Sequence, residues 1–167
     1  MFLPNLQLIS KQIGNKLKKQ KATISCAESC TGGWISKVLT DSNGSSNWFE
    51  FGFITYSNQA KEKLLGINSS LLKKFGAVSK IIVHEMALAA KHKSGSSYSI
   101  AVSGIAGPDG GSINKPVGTV WFGFATTDNK IFTLNQQFKG NRDRIRHQSV
   151  YFALQIFYKN FLTNQLD

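Results

Sequence analysis

Residues 22–34 read ATISCAESCTGGW and set the pattern for the whole chain. Ala22 to Ala27 alternates small apolar and polar side chains, as a short strand does. The polar turn that follows contains Gly32-Gly33, and Trp34 begins the buried side of a helix that continues to Leu39. The stretch therefore predicts a strand, a tight turn and a helix in succession, which is the repeating unit of an α/β sheet.

Helical patterns lie on both sides of this unit. Apolar residues recur three and four positions apart from Leu3 to Leu17, and this spacing predicts an amphipathic helix over about 4–20. Farther along, residues with capping side chains or glycines mark the ends of other helices. The sequence predicts helices from about 58 to 65 after Ser57, from 70 to 75, from Ser79 to about 93, and from near Asn141 onward.

The remaining apolar and β-branched runs predict strands. They are 48–56, with Gly52 as a bend or bulge, then 98–102, 119–126 and 131–138. The last two runs flank a polar turn and should form an antiparallel hairpin. We therefore predict one α/β domain over residues 1–167, with three layers and a mixed sheet of about five strands flanked by helices.

Composition limits the classes of function. The 167 residues carry a net charge of +11, and such a field attracts phosphates on a nucleotide or on nucleic acid. Because the basic residues are dispersed and do not alternate with exposed aromatics, we favour one phosphate site, with nucleic-acid binding that is at most weak and non-specific. No apolar run reaches the roughly 18 residues of a membrane helix, so we expect a cytoplasmic protein with no membrane partner.

Metal and redox chemistry find little support in the sequence. Cys26 and Cys30 stand four positions apart, which is neither a CxxC pair nor a spacing that readily forms a disulfide, so we expect two reduced thiols. Three scattered histidines and nine acidic residues do not suggest a ligand shell for zinc or magnesium. We expect no metal site.

Two strand-end loops are the richest in Gly, Ser and Thr, and ligands of open α/β sheets bind beyond the carboxyl ends of strands. The loop after Ala27 carries Thr31-Gly32-Gly33 at a helix start, where free amides and the helix dipole favour an anion. The loop after Val102 contains Gly104 and Gly107, which let a backbone approach a ligand closely. Each loop, taken alone, also has a purely structural interpretation.

Several motifs, in order along nearly the whole chain, resemble the CinA carboxy-terminal domain family. They are AESCTGG at 27–33, GSS at 44–46, GF-TYSN-AK at 52–61, GAVS at 76–79, SGIAGPDGG at 103–111 and KPVGTV at 115–120. The resemblance implies hydrolysis of nicotinamide mononucleotide to nicotinate mononucleotide and ammonia, without a metal or an organic cofactor. The amino-terminal domain of longer family members has no counterpart in this sequence.

The resemblance also implies site residues. It assigns a serine nucleophile, a lysine base and a tyrosine to Ser46, Lys61 and Tyr56. A lysine can act as the base for serine when burial or neighbouring charge lowers its pKa. The predicted substrate contacts come from both strand-end loops and the start of the last helix, and they are Glu28, Ser29, Thr31, Gly32, Gly33, Ser103, Gly104, Gly107 and Arg142.

A geometric difficulty affects the nucleophile. If residues 48–56 formed one straight strand, Ser46 and Tyr56 would lie about 30 Å apart at ~3.3 Å per residue. Either the chain bends near Gly52, or a second subunit of a homodimer completes the site. If neither holds, Ser29 at the neighbouring strand end is the better nucleophile.

Two other functions stay open at this point. The charge of +11 also suits a nucleic-acid-binding or competence-associated and DNA-damage-associated module, although no recognisable nucleic-acid-binding motif is present. A catalytically silent nucleotide-binding domain would keep the fold alone. The intact set Ser46, Tyr56 and Lys61 argues against the silent domain.

Overall fold

The structure is a computed structural model that describes residues 5–163. Its strands are β1 (Ile24–Glu28), β2 (Phe49–Ile54), β3 (Tyr98–Gly104), β4 (Thr119–Ala125) and β5 (Ile131–Gln137). Its α-helices are α1 (Leu6–Gln20), α2 (Trp34–Thr40), α3 (Asn58–Ala60), α4 (Ser69–Phe75), α5 (Lys80–Ser94) and α6 (Arg142–Phe157). Wider π-helical turns continue α3 over Lys61–Leu65 and α6 over Tyr158–Thr163.

The sheet is mixed, as predicted, with the strand order β2-β1-β3-β4-β5. β1 runs parallel to both β2 and β3, while β4 and β5 pair in antiparallel fashion as the predicted hairpin. Glu28, the last residue of β1, pairs with Ile54 of β2 and with Val102 of β3. The carboxyl ends of the three parallel strands therefore meet at one edge of the sheet, which is where open α/β sheets bind ligands.

Helices cover both faces of the sheet and make three layers. One face packs against α1, α2 and α6 in an apolar core that includes Ile13, Phe122 and Leu154. The other face packs against α4 and α5. On that second face the strands present small side chains, which let α5 lie close to the sheet. These side chains are Ala27, Ala101 and Ala125.

Polar side chains begin the helices where the sequence predicts. Ser57, Ser79 and Asn141 each accept a hydrogen bond from a backbone amide in the first turn of the following helix. Gly66 ends the π-helical turn in the left-handed conformation. Within residues 5–163, none of the helices combines the length and the apolar character needed to cross a bilayer.

Candidate active site

The candidate site lies where the parallel strands end. Ser29 follows β1 directly, and its amide donates to the carbonyl of Val102 on β3. Thr55 follows β2, and its amide donates to the carbonyl of Glu28 on β1. These bonds extend the sheet by one residue at each strand, so the Ser29 side chain is held at the carboxyl edge.

Lys61 reaches this edge from the first π-helical turn after α3. Its Nζ lies 3.1 Å from Ser29 Oγ and donates to the carbonyls of Thr55, at 2.8 Å, and Tyr56, at 3.5 Å. Only 1% of the Lys61 side chain is exposed. Burial disfavours the ammonium form and lowers the pKa of Lys61 from 10.5 to about 8. A lysine in contact with a serine hydroxyl and with a lowered pKa can serve as a general base.

Ser29 and Lys61 open into a cavity of about 230 Å³. The predicted residues Ser103 and Gly104 form part of its wall, as do Tyr56 and Arg142. The other lining residues are Cys30, Ala77, Val78 and Ala106. The structure therefore brings six of the predicted site residues around one space.

Arg142 and Tyr56 form the polar rim of the cavity. Nη2 of Arg142 donates to the Tyr56 hydroxyl at 2.9 Å, and Nη1 donates to the carbonyl of Gly107 at 2.8 Å. Tyr56 is 59% exposed, and Arg142 is exposed as well. Gly107 thus contributes a carbonyl to the rim through Arg142 without lining the cavity. A guanidinium in this position can bind a phosphate or carboxylate by two parallel hydrogen bonds.

Glu28 lies beneath the turn that carries Ser29 and is fully buried. Its carboxylate accepts from five donors at the start of α2, which are Thr31 Oγ1, Ser36 Oγ and the amides of Gly33, Ile35 and Ser36. The helix start predicted to bind an anion of the substrate therefore already holds an anion of the protein. Glu28 does not reach the cavity wall in this structure.

The rest of the predicted glycine turn supports the site rather than lining it. Thr31 is fully buried with its hydroxyl on Glu28. Gly32 and Gly33 have φ angles of 59° and 94°, a left-handed conformation that glycine adopts without strain. Their contribution in this structure is the sharp change of direction between β1 and α2.

Ser46 lies at the opposite edge of the sheet from Lys61. It is exposed in a short 3₁₀ turn, Ser45–Asn47, just before β2 begins. Lys61 comes after β2 ends, and the six residues of that strand span about 20 Å at ~3.3 Å each. β2 pairs regularly with β1 through Gly52, without the bend predicted there, and its one register shift lies at Glu50. Within one chain, Ser29 and not Ser46 contacts the lysine.

Cys30 lines the cavity beside Ser29, so its thiol is a competing nucleophile to consider. Burial raises the pKa of the Cys30 thiol to about 12 and that of Cys26 well above its ordinary range. Thiols with such pKa values stay protonated at neutral pH and are poor nucleophiles. Neither cysteine is in a disulfide, in keeping with the prediction of two free thiols. In the described part of the chain, no group of three potential ligand residues is placed to hold a metal ion.

Arg146 is a residue of the site that our sequence analysis missed. Its side chain, one turn after Arg142 on α6, donates from Nε to the carbonyl of Cys30 at 3.0 Å and from Nη2 to that of Thr31 at 2.9 Å. The guanidinium also lies 5.3 Å from the ring of Trp34. The spacing of four from Arg142 places both arginines on one helix face, and that was the available signal.

Three larger depressions lie elsewhere on the described part of the molecule. One, of about 550 Å³, lies between the β4–β5 hairpin and the segment after α6, and no serine lines it. A second, of about 650 Å³, lies along the glycine loop over 108–117, and no lysine lines it. The third, of about 300 Å³, lies between α1 and the loop before β2, where Ser42 shares the lining with Lys11 and Lys18 but its Oγ bonds Ser10 Oγ and neither lysine. In none of the three does a serine or threonine hydroxyl bond a lysine amine, so the smaller cavity at Ser29 is the candidate active site.

Comparisons with known proteins find relatives that match nearly the whole chain. The family described as the CinA C-terminal domain matches residues 6–161. The nicotinamide-nucleotide amidohydrolase PncC of Enterobacter agglomerans is 53% identical over 159 residues, which cover 95% of this chain and 97% of that protein. PncC of Escherichia coli K12 is 50% identical over 159 residues, which cover 95% of this chain and 96% of that protein. The crystal structure of the competence damage-inducible protein A of Klebsiella pneumoniae superposes with a TM-score of 0.92 at 29% identity, covering 97% of this chain and all of that one.

Proposed function

This chain belongs to the CinA C-terminal domain family, and from that membership we propose that it is a nicotinamide-nucleotide amidohydrolase. The substrate is nicotinamide mononucleotide, and the products are nicotinate mononucleotide and ammonia. Two relatives that carry this name match almost the whole chain at 50% identity or more. The proposal extends to the chemistry, in which Ser29 is the nucleophile and Lys61 its base.

The contact between Lys61 Nζ and Ser29 Oγ, 3.1 Å long and buried, carries this proposal. With a pKa of about 8, a useful fraction of Lys61 is neutral near pH 7 to 8. The neutral amine accepts the Ser29 proton while Ser29 Oγ attacks the carboxamide carbon. The lysine then returns that proton to the amide nitrogen, the C–N bond breaks and ammonia leaves. The same amine then deprotonates a water molecule, which attacks the acyl-serine. The ester C–O bond breaks, the amine returns the proton to Ser29 Oγ, and nicotinate mononucleotide leaves as the carboxylate after losing a proton to solvent.

Ser46 was the nucleophile that the sequence resemblance implied, and the geometry favours Ser29 in its place. Ser29 meets the requirement that nucleophile and base lie within hydrogen-bond reach. Ser46 lies before β2, at the other edge of the sheet. Tyr56 keeps a role at the site because its hydroxyl lies on the cavity rim, bound to Arg142.

The substrate phosphate would bind at this rim. The amides at the start of α2 are committed to Glu28, which leaves the Arg142 guanidinium as the exposed cation on the cavity wall. Arg142 is also the first residue of the 16-residue helix α6, whose dipole favours an anion at that end. Phosphate binding there would place the pyridine carboxamide deeper in the cavity, toward Ser29 and Lys61.

The test is ammonia release from nicotinamide mononucleotide by the wild type, Ser29→Ala and Ser46→Ala proteins. We expect the wild type to be active and unaffected by excess chelator. Ser29→Ala should lower turnover by at least about 10³-fold while the product nicotinate mononucleotide still binds, because the substitution removes only the reacting group. Ser46→Ala is the matched control and should retain wild-type turnover.

Each contrary result has a distinct meaning. A wild-type protein that releases no ammonia from this nucleotide would contradict the function itself. Loss of activity in Ser46→Ala with full activity in Ser29→Ala would contradict the assignment of the nucleophile and would point to a site shared between two subunits.

A further inference from the structure

Arg146 fixes the backbone of the turn that follows Ser29. We propose that it is a positioning residue, which directs the amide of Thr31 toward the oxyanion that forms when Ser29 attacks the substrate, where the amide of Cys30 donates as well. This inference rests on the proposed amidohydrolase function and adds to it the groups that stabilise the negative charge of the tetrahedral intermediate.

The hold of Arg146 on the turn is bidentate. Nε and Nη2 donate to the neighbouring carbonyls of Cys30 and Thr31 at 3.0 and 2.9 Å. The guanidinium is itself held over the ring of Trp34, at 5.3 Å from its centroid. A planar fork held on an aromatic face can keep two carbonyls in one orientation, which the single ammonium of a lysine cannot do.

Fixing a carbonyl also fixes the amide on the other side of the same peptide plane. In a trans peptide the C=O and N–H groups point in opposite directions. Because the carbonyl of Cys30 faces Arg146, the amide of Thr31 faces away from it. Rotation of that plane would cost the bond to Nε, so the amide direction is set by a side chain from α6.

The amides of residues 29–36 can be assigned one by one, and two of them have no partner in another residue. The amide of Ser29 donates to Val102, and those of Gly32 and Trp34 donate to carbonyls inside the turn. Glu28 takes the amides of residues 33, 35 and 36. Among the hydrogen bonds of the described chain, the Thr31 amide takes part in none, and the Cys30 amide interacts only with its own sulfur.

These two amides are placed as oxyanion donors usually are. In a strand-nucleophile-helix turn, the amide of the residue after the nucleophile is the typical donor, and here that residue is Cys30, which lines the cavity with Ser29. The dipole of the following helix favours negative charge at the same place. Glu28 and Arg146 hold the turn from two sides, so the donors are oriented before the substrate binds.

The experiment compares Arg146→Lys and Arg146→Gln with wild type. We expect kcat on nicotinamide mononucleotide to fall about ten- to hundredfold, while KM and the affinity for nicotinate mononucleotide stay unchanged. The midpoint of the pH profile should not move, because Lys61 is untouched. Arg144→Lys is the matched control on the same helix and should behave as wild type, since that side chain is exposed.

A second measurement separates positioning from general damage to the fold. An analogue of the nucleotide with an aldehyde in place of the carboxamide adds to Ser29 and forms a hemiacetal that needs the same donors. Its affinity should weaken in the Arg146 variants by the same factor as kcat/KM, and not at all in Arg144→Lys.

The outcomes are separable from failure of the proposed function. If the wild type acts on nicotinamide mononucleotide but both Arg146 variants keep full kcat, the inference is overturned. It is equally overturned if both variants lose binding of the product together with turnover, because Arg146 would then hold the fold or the substrate rather than the oxyanion donors. A wild type without ammonia release contradicts the function itself.

Discussion

Lys61 places a cation where almost no water reaches it, and this burial determines its chemistry. The side chain is 1% exposed, and its described partners are two carbonyls and a hydroxyl, with no carboxylate among them. Loss of hydration therefore dominates, and the pKa of Lys61 drops to about 8. Burial of Lys61 makes the folded state less stable at neutral pH, because part of the lysine is still charged there. It also makes the neutral amine available as a base, and active sites commonly combine these two effects.

This burial predicts the pH dependence of the reaction. Because Lys61 must be neutral to accept a proton, kcat/KM should rise with pH, reach half its maximum near pH 8 and level off above it. Lys61→Met should be inactive, yet at pH 7 at least as stable as wild type, because the folded-state pKa is lowered and the buried ammonium costs stability at that pH. The checks are a pH-rate profile and urea unfolding at pH 7. A profile that falls between pH 7 and pH 9 would exclude the neutral amine as the base.

Arg142 should control affinity rather than the chemical step. If its guanidinium binds the phosphate, its removal costs about 1.5 to 3 kcal/mol of binding, or roughly ten- to hundredfold in KM. We expect Arg142→Ala to raise KM for nicotinamide mononucleotide with a small change in kcat. Free nicotinamide lacks the phosphoribosyl group and should be a much poorer substrate, and Arg142→Ala should leave its hydrolysis unchanged. Steady-state kinetics on both substrates will test this. An equal loss on free nicotinamide, which has no phosphate, would rule out phosphate binding by Arg142.

At the scale of elements, the turn between β1 and α2 is built around one buried carboxylate. Glu28 accepts five hydrogen bonds from the start of α2 and thereby joins the end of β1 to the first turn of that helix. The sequence stretch AESCTGG predicted this strand, turn and helix, but the anion it predicted at the helix start was that of a ligand. Sequence cannot tell an internal anion from a bound one, because both satisfy the same free amides.

Glu28→Gln is therefore expected to destabilise the fold. The amide nitrogen of glutamine would face donors instead of accepting from them, so buried donors lose their partner at a cost of about 3 kcal/mol in the free energy of unfolding. Urea unfolding will measure the change. Glu50→Gln is the matched control, because Glu50 is exposed on β2, and its stability should equal that of wild type. Equal stability of the two variants would show that the Glu28 hydrogen bonds contribute little.

The sequence predicted the positions of the helices and strands, but the structure has no bend at Gly52 where one was predicted. Periodicity and capping residues predicted helices and strands within a few residues of their bounds, from Ser57 and Ser79 to the β4–β5 hairpin. Gly52 is required for another reason, since a Cβ atom there would clash with Ser36 Oγ on α2. The register of β1 and β2 shifts instead between Ile24 and Ser25. Contacts between elements of this kind leave no local signal in a sequence.

At the scale of the whole molecule, strand order decides which predicted residues meet. The sequence predicted about five strands but not the order β2-β1-β3, which brings Ser29, Lys61 and Ser103 to one edge. The same order leaves Ser46 at the other edge, where the family motif alone had made it the nucleophile. A homodimer that completes the site from a second chain stays a prediction, as does the single-domain organisation.

Net charge is the last property of the whole molecule with a testable consequence, since +11 attracts any polyanion. One group of the cationic residues, Lys16, Lys18, Lys19 and Lys21, lies on the last turns of α1 and just beyond it. This group precedes β1 and is therefore at the edge of the sheet away from the cavity. We expect weak, sequence-independent DNA binding that falls at least about tenfold between ~50 and ~200 mM salt, because it rests on counterion release. Fluorescence anisotropy of labelled duplexes will measure it.

The double variant Lys18→Gln and Lys19→Gln should weaken DNA binding and leave ammonia release unchanged, and nicotinamide mononucleotide should not compete with DNA. Tight binding that distinguishes sequences at ~150 mM salt, or competition by the nucleotide, would instead support a nucleic-acid function centred on the cavity.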